Sequence, residues 1–327
     1  MNQHRTASGP CSVRLLTRIA LCLVAVGIAA VPAVAAEKVR VVVARNPRAV
    51  NDRNVCDAAE TTRLFDQALQ ALTGVKTPAE SWKLLGLAPA DVVAVKMNCN
   101  NWTITLSPHR ELVEAMCRSL ETVIPANQII LYDNDTEALK ESGFTINRAG
   151  PGVRCFGTDQ GGGFDPKERL TRIITQTATK IINLASLKCI ENNVLTGLFI
   201  KNEMVASLFF KNHIGSLIPQ DMSKCHSDPD FLAEVSSRPS IREKTILNLC
   251  DGLRGTYRRG VPWYWAGIIL SKDPVAAEAA AISAMNEKRA AEKIDPLPLP
   301  QSLKIAESKY HLGTSKQENI ELVRINP

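Results

Sequence analysis

DVVAVKMN, residues 91–98, sets four apolar residues in an unbroken run before Lys96, Met97 and Asn98. Successive side chains of a strand point to opposite faces. A strand that is apolar at every position is therefore covered on both faces, as the strands of a parallel sheet are. VRVVVA (39–44), QIILYDND (128–135), ATKIINLASLK (178–188), TILNLCDG (245–252) and WAGIILSKDP (265–274) share the pattern.

Helical spacing fills the intervals. Leu64, Phe65, Ala68, Leu69 and Leu72 form one stripe, with Gly74 where a left-handed cap belongs. Ser107-Pro108 reads as a helix start, followed by Leu112, Met116, Leu120 and Val123. TEALKESGF is a short helix stopped by Gly143, and Asp273-Pro274 opens the Ala-rich VAAEAAAISAMNEKRAAEK. The last 27 residues hold a short helix and a strand-like ELVRI. Strand and helix in alternation predict a three-layer α/β fold, a mainly parallel sheet flanked by helices.

Two stretches depart from this rhythm. Residues 147–166, NRAGPGVRCFGTDQGGGFDP, read as a long loop with one short strand near 153–156. Its triple glycine lacks the G-x-x-x-x-G-K pattern and reads as a turn rather than a phosphate cradle. Residues 219–240, with three prolines and several Asp and Ser, read as a surface excursion.

Residues 1–36 read as a signal peptide. His4, Arg5, Arg14 and Arg18 precede an uncharged run that ends in Ala33-Val34-Ala35-Ala36. The alternative is an uncleaved anchor, since the run approaches the length that spans a bilayer. Pro32 and the small residues after it favour cleavage. Leu21, bulky before Cys22, argues against a lipoprotein site. The expected product is exported, periplasmic or secreted, with no membrane attachment after cleavage. Its body, residues 37–327, shows no linker and is expected to be a single α/β domain.

The leader holds three arginines and no acid, so the net charge of +6 falls to +3 without it. A balance so near neutral gives no case for nucleic acid. Seven cysteines remain, none in a C-x-x-C arrangement. An oxidising compartment permits disulfides, but an odd count leaves at least one thiol unpaired within the chain. Most are expected to be small buried hydrophobes. There is no H-E-x-x-H, no G-x-S-x-G, and no S-x-x-K in the setting those enzymes need.

In an open parallel sheet, ligands bind outside the carboxyl ends of the strands. Polar residues collect at those positions: Lys96 and Asn98, Asp133 and Asp135, Lys188, Asp251, and Asp273 before its helix. Each alone has an ordinary explanation, as a solvated lysine, a turn former or a helix cap. Their coincidence at five strand ends marks one sheet edge as a candidate site.

The same segments resemble the domain of unknown function 362 family over about residues 40–285. The resemblance rests on VAVKMN, then LYDND with INRAGPGVRCFGTD, then IINLASLK and FIKN, then LNLCDG and KDPVAAEA. It implies a site built from Lys188, Lys201, Asp251 and Glu278 as catalytic candidates. Lys96, Asn98, Asn202 and Asp133 are its ligand- or cofactor-binding candidates. Three departures stand out. Members often carry a histidine two positions after the IINLASLK lysine, where this chain has Cys189-Ile190-Glu191. The proline usual before that lysine is missing, and Glu278 replaces an aspartate. The ferredoxin-like cysteine cluster of some members is absent, so no iron–sulfur cluster is expected.

The lysines suit a small carboxylate or phosphate, and burial would lower an amine's pKa toward base or nucleophile chemistry. Asp251 and Glu278 suit acid–base work or a hard divalent cation; the cofactor is left open. Three readings compete. The first is an exported enzyme acting on a small anionic substrate. The second is a non-catalytic protein of the cell envelope that binds a ligand or metal. The third is redox work by Cys99 and Cys189. Cys225, His226, Asp228 and His213 could bind zinc chemically, but their spacing matches no motif. VPWYWAG (261–267) offers aromatics for covering a ligand or for packing.

Overall fold

The computed structural model describes residues 38–99, 107–189, 208–258 and 261–327. Residues 1–36, read above as a signal peptide, and Lys201 and Asn202 lie outside the described residues. One eight-stranded sheet runs in the order β10-β1-β9-β6-β5-β2-β3-β4. The strands are β1 Val39–Arg45, β2 Val93–Lys96, β3 Ile129–Tyr132, β4 Arg154–Cys155, β5 Lys180–Ser186, β6 Thr245–Gly252, β9 Gly267–Ser271 and β10 Ile320–Ile325. A separate hairpin pairs β7 Gly255–Arg258 with β8 Val261–Trp263.

The sheet is α/β, mostly parallel and flanked by helices, but it is mixed. Only β9 runs against its neighbours β1 and β6; the other pairings are parallel. That reversal alters the expected strand edge. Asp273, which follows β9, lies at the opposite edge from Asp251. There it does what an Asp before Pro does at a helix start: its Oδ1 accepts from Val275 N at 2.8 Å and Ala276 N at 2.9 Å.

The first face is covered by α1 Ala58–Thr73, α2 Pro78–Leu84, α3 Arg110–Leu120 and α4 Thr136–Glu141. Asp57 caps α1 by accepting from Ala59 N and Glu60 N, and Gly74 closes it at φ 77°. The predicted stripe from Leu64 to Leu72 is buried in the core of this face. Trp82 Nε1 donates to Ser119 Oγ at 2.9 Å, tying α2 to α3. The start of α3 differs from expectation: its cap is His109, which makes no side-chain cap bond.

The second face is covered by α5 Phe209–Asn212, α6 Pro219–Met222, α7 Pro229–Ser237, α8 Pro239–Arg242, α9 Pro274–Ala291 and α10 Gln301–Ser308. Here the reading of residues 219–240 as a surface excursion is corrected. Phe231, Leu232, Ala233 and Val235 of α7 are buried in the cluster that also holds Ala94, Ile130 and Ile181 of the sheet. The prolines stand in the first turns of α6, α7 and α8, where a missing N–H costs nothing.

The core of this second face is two clusters, one under β2, β3 and β5 and one under β1, β6 and β9. Between them a polar row crosses the sheet at one level. Register pairs link Tyr132 to Lys96, Lys96 to Asn183, Asn183 to Asn248, and Asn248 to Ser271. An amide in the middle of a buried strand is stable only when bonded. Asn183 Nδ2 donates to Phe209 O at 3.0 Å, and Asn248 Nδ2 donates to Lys272 O at 3.1 Å.

Candidate functional site

Strands β2, β3, β5 and β6 are parallel neighbours, so their carboxyl ends open on one edge. β2 delivers Lys96 and Asn98, β3 Asp133, β5 Lys188 and β6 Asp251. Hydrogen bonds join three of these strand ends directly. Lys96 is 1% exposed, and its Nζ donates to Asp133 Oδ1 at 2.5 Å, to Met97 O at 2.5 Å and to Asn212 Oδ1 at 3.3 Å. Asp133 also accepts from Asn134 N and, through Oδ2, from Cys99 N, both at 2.7 Å. A buried ion pair persists only when such bonds satisfy both charges. All three Lys96 protons are committed, so a ligand would reach that amine only by displacing an acceptor.

Asn98 passes the network outward. Its Nδ2 donates to Asn212 Oδ1 at 3.0 Å, and its Oδ1 accepts from Lys188 Nζ. Asn212 Nδ2 donates to Asn183 Oδ1, Leu184 O and Lys96 O at 2.8 to 3.2 Å. Gly215 passes over the ion pair; a Cβ there would stand 2.9 Å from Asp133 Oδ1 and 3.0 Å from Lys96 Nζ.

Lys188 is held at the backbone on both sides. Leu187 N donates to Asp251 O at 2.8 Å, Leu187 O accepts from Thr256 N at 2.9 Å, and Cys189 N donates to Thr256 Oγ1 at 2.9 Å. Burial pushes the Lys188 amine down to about 8. Nearby Cys99 and Asp133 pull it upward, while the Lys96 charge pushes it further down.

Asp251, 1% exposed, forms a second centre on this edge. Its Oδ1 accepts from Leu253 N at 3.0 Å, and its Oδ2 accepts from His109 N at 2.7 Å and lies 2.9 Å from His109 Nδ1. His109 Nε2 lies 3.0 Å from Asn54 Oδ1. Burial works to lower the imidazole pKa, but the Asp251 charge and hydrogen bond outweigh it and hold His109 above its ordinary value. Histidine oriented by a buried carboxylate is suited to proton transfer. Arg254, in the turn after β6, depresses His109 modestly through its charge.

Glu278 is placed differently. It lies on α9 beneath the sheet, is 0% exposed, and its Oε2 accepts from Phe209 N at 3.0 Å. It thereby holds the start of α5, the chain emerging from residues 190–207. Lys201 and Asn202 fall within those residues, outside the description. Asp135 caps α4 through Ala138 N at 2.8 Å.

The rival readings receive less support from geometry. Cys99 is buried, and burial pushes its thiol far above the thiolate range. Asp228 caps α7 through Asp230 N and Phe231 N. Among the described residues no three His, Cys, Asp or Glu side chains gather to hold a metal. Trp265 is 1% exposed and packs tilted on Trp263, with the Arg45 guanidinium 5.6 Å from its ring, so that aromatic run serves packing. Among the described residues, no helix is long and apolar enough to cross a membrane.

Sequence reasoning missed His109, Asn212 and Arg254. His109 stood one residue past the proline taken as the helix start, and no pattern links it to Asp251. Asn183 and Asn248 left a visible signal, an amide at the centre of IINLAS and of TILNLC. No family model matches the chain, and no curated protein or solved structure matches it significantly.

Proposed function

We propose that this chain is an exported α/β protein whose carboxyl-edge site takes a small anionic ligand or substrate. The observation behind this is the convergence of Lys96, Asn98, Asp133, Lys188 and Asp251 on one edge from four adjacent parallel strands. Lys96 and Asp133, saturated by internal bonds, act as positioning residues. They fix Asn98, and Asn98 fixes Lys188, the cation that meets the ligand. A Lys188 amine near pH 8 serves as base or nucleophile as well as anion receptor. The Asp251–His109 pair supports turnover, with His109 as proton carrier and Asp251 as its orienting partner. Lys201 and Asn202 stay in the set as sequence candidates only, and Glu278 holds the start of α5 through Phe209 N. The resemblance to the domain of unknown function 362 family points to Lys96, Asn98, Asp133, Lys188 and Asp251 on this edge, while Glu278 stands apart from them, and it supplies no reaction.

A thermal-shift screen of the mature protein against phosphate, acetate and citrate tests the reading. At least one anion should raise the melting temperature, and Lys188→Met should abolish that rise, weakening binding by about tenfold or more. A stabilising anion that Lys188→Met binds as well as wild type would sink it. The saturated Lys96–Asp133 pair favours the alternative, a binding protein without turnover. Mass spectrometry of the ligand after incubation separates the two. Export carries its own test: the amino terminus of the protein recovered from the cell envelope should begin at Glu37, and recovery of intact Met1 would refute cleavage.

A further inference from the structure

One cation of the carboxyl edge has no partner within the fold. Arg254 lies half-buried in the short link between β6 and β7, just past the carboxyl end of β6. The backbone on either side of it is fixed. Leu253 N donates to Asp251 Oδ1 at 3.0 Å, and Leu253 O accepts from Ala266 N at 3.1 Å. Gly255 passes so close to the segment carrying Lys188 that a Cβ there would stand 2.7 Å from Leu187 O, and Thr256 N donates to that oxygen at 2.9 Å. Arg254 therefore leaves the chain between the two centres of the edge, the Asp251–His109 pair and the backbone that holds Lys188.

Among the described residues the Arg254 guanidinium makes no hydrogen bond and no ion pair. Its Nε is enclosed without an acceptor, whereas its terminal nitrogens are not enclosed and keep their donors for something outside the fold. The nearest carboxylate in the chain does not answer it, since Asp251 is taken up by Leu253 N and by His109. The other cations of this edge are engaged. Lys96 donates to Asp133, Met97 and Asn212, Lys188 donates to Asn98, and Arg45 Nε donates to Trp265 O. Partial burial of a charge without a bonded acceptor is costly, and the planar end of a guanidinium matches a carboxylate through two parallel bonds.

The strand order sets the size of the ligand. β6 and β2 flank β5, so their ends stand two strand spacings apart, about 10 Å. Asn98 holds Lys188 on the β2 side, and Arg254 follows β6, where its charge reaches His109. A single acidic group is too small to meet cations on both sides. A short molecule with an acidic group at each end can do so.

We propose that Arg254 is a second anion-binding residue of the carboxyl-edge site and that the ligand is a short dicarboxylate. This rests on the function proposed above, in which Lys188 receives an anionic group. Arg254 receives the other carboxylate and sets it beside His109, the proton carrier of that site. Preference for two acidic groups over one is the contribution of Arg254.

Calorimetric titration of the mature protein with succinate and with monomethyl succinate at neutral pH tests this. The ester keeps the chain and loses one charge. Wild type should bind succinate about tenfold more tightly or better, and Arg254→Met should erase that preference. Lys188→Met should weaken both compounds. Arg254 makes no bond within the fold, so the variant should fold as wild type does, as far-UV circular dichroism would verify. The His109 titration, followed by NMR without ligand, should rise in Arg254→Met, because the guanidinium charge that depresses it is gone. An unmoved titration, an undiminished preference in Arg254→Met, or a wild type that binds the ester as tightly as succinate overturns the inference. Where Lys188→Met still weakens the ester, the carboxyl-edge site survives that outcome. No heat from either compound at about 10 mM, the level of very weak binding, also overturns the dicarboxylate. The screen with phosphate, acetate and citrate then decides the site separately.

Discussion

Asp251 shows how one buried carboxylate organises an edge. It accepts two backbone N–H groups, from His109 and Leu253, and faces His109 Nδ1. The backbone bonds anchor the carboxylate, and its charge raises the imidazole against the effect of burial. Replacing Asp251 by Asn keeps the shape and removes the charge. The His109 titration, followed by NMR, should then fall by about one unit or more. An unmoved titration would show that Asp251 does not govern His109. Asp251 was legible because it ends an apolar strand. His109 was not, because its partner is 142 residues away in the chain.

At the scale of elements, the short helix α5 joins the site to the core. Asn212 at its end bonds Lys96, Asn98 and Asn183 and the Leu184 carbonyl. These atoms belong to β2, its carboxyl-end extension and β5, so one side chain holds two strands and the ion pair in register. Asn212→Leu would leave several buried groups without partners. It should destabilise the fold by about 2–4 kcal/mol in urea unfolding, a cost under about 0.5 kcal/mol showing that water replaces the amide. The variant should also free Asn98 and loosen Lys188. Element type was largely legible: the unbroken apolar runs, the Gly74 cap and the Asp273 cap all fold as their chemistry dictates. Direction was not. WAGIILS is apolar on both faces whichever way it runs, so nothing in it reveals that β9 is reversed. The helices of residues 219–240 were hidden by their own starts, since Pro, Ser and Asp cap helices as readily as they form turns.

For the molecule as a whole, the reversed β9 puts polar groups at both edges of the sheet, and the row from Tyr132 to Ser271 lies between them. Two of the buried groups on the second face tie its stability to pH in opposite senses. His213 is held to about 3, below its ordinary 6.5, so between those values the unfolded chain binds more protons than the folded one. Its contribution is complete above 6.5 and is lost as the pH falls. The Lys96 charge on β2 acts in the same direction. Asp273 is pushed by burial up to about 6 from 3.8, so across that window the folded chain holds the extra proton and acidification stabilises. The two effects oppose each other between pH 4 and 6, which should leave the wild type with a shallow dependence. His213→Gln removes one of them. Unfolding free energies from urea titrations at pH 4, 5 and 6 should then show the difference between wild type and variant changing by about 1.4 kcal/mol per pH unit, the value for one proton. The wild type should lose ground as the pH falls. Parallel curves for the two proteins would mean that His213 takes up its proton in the fold as readily as in the unfolded chain.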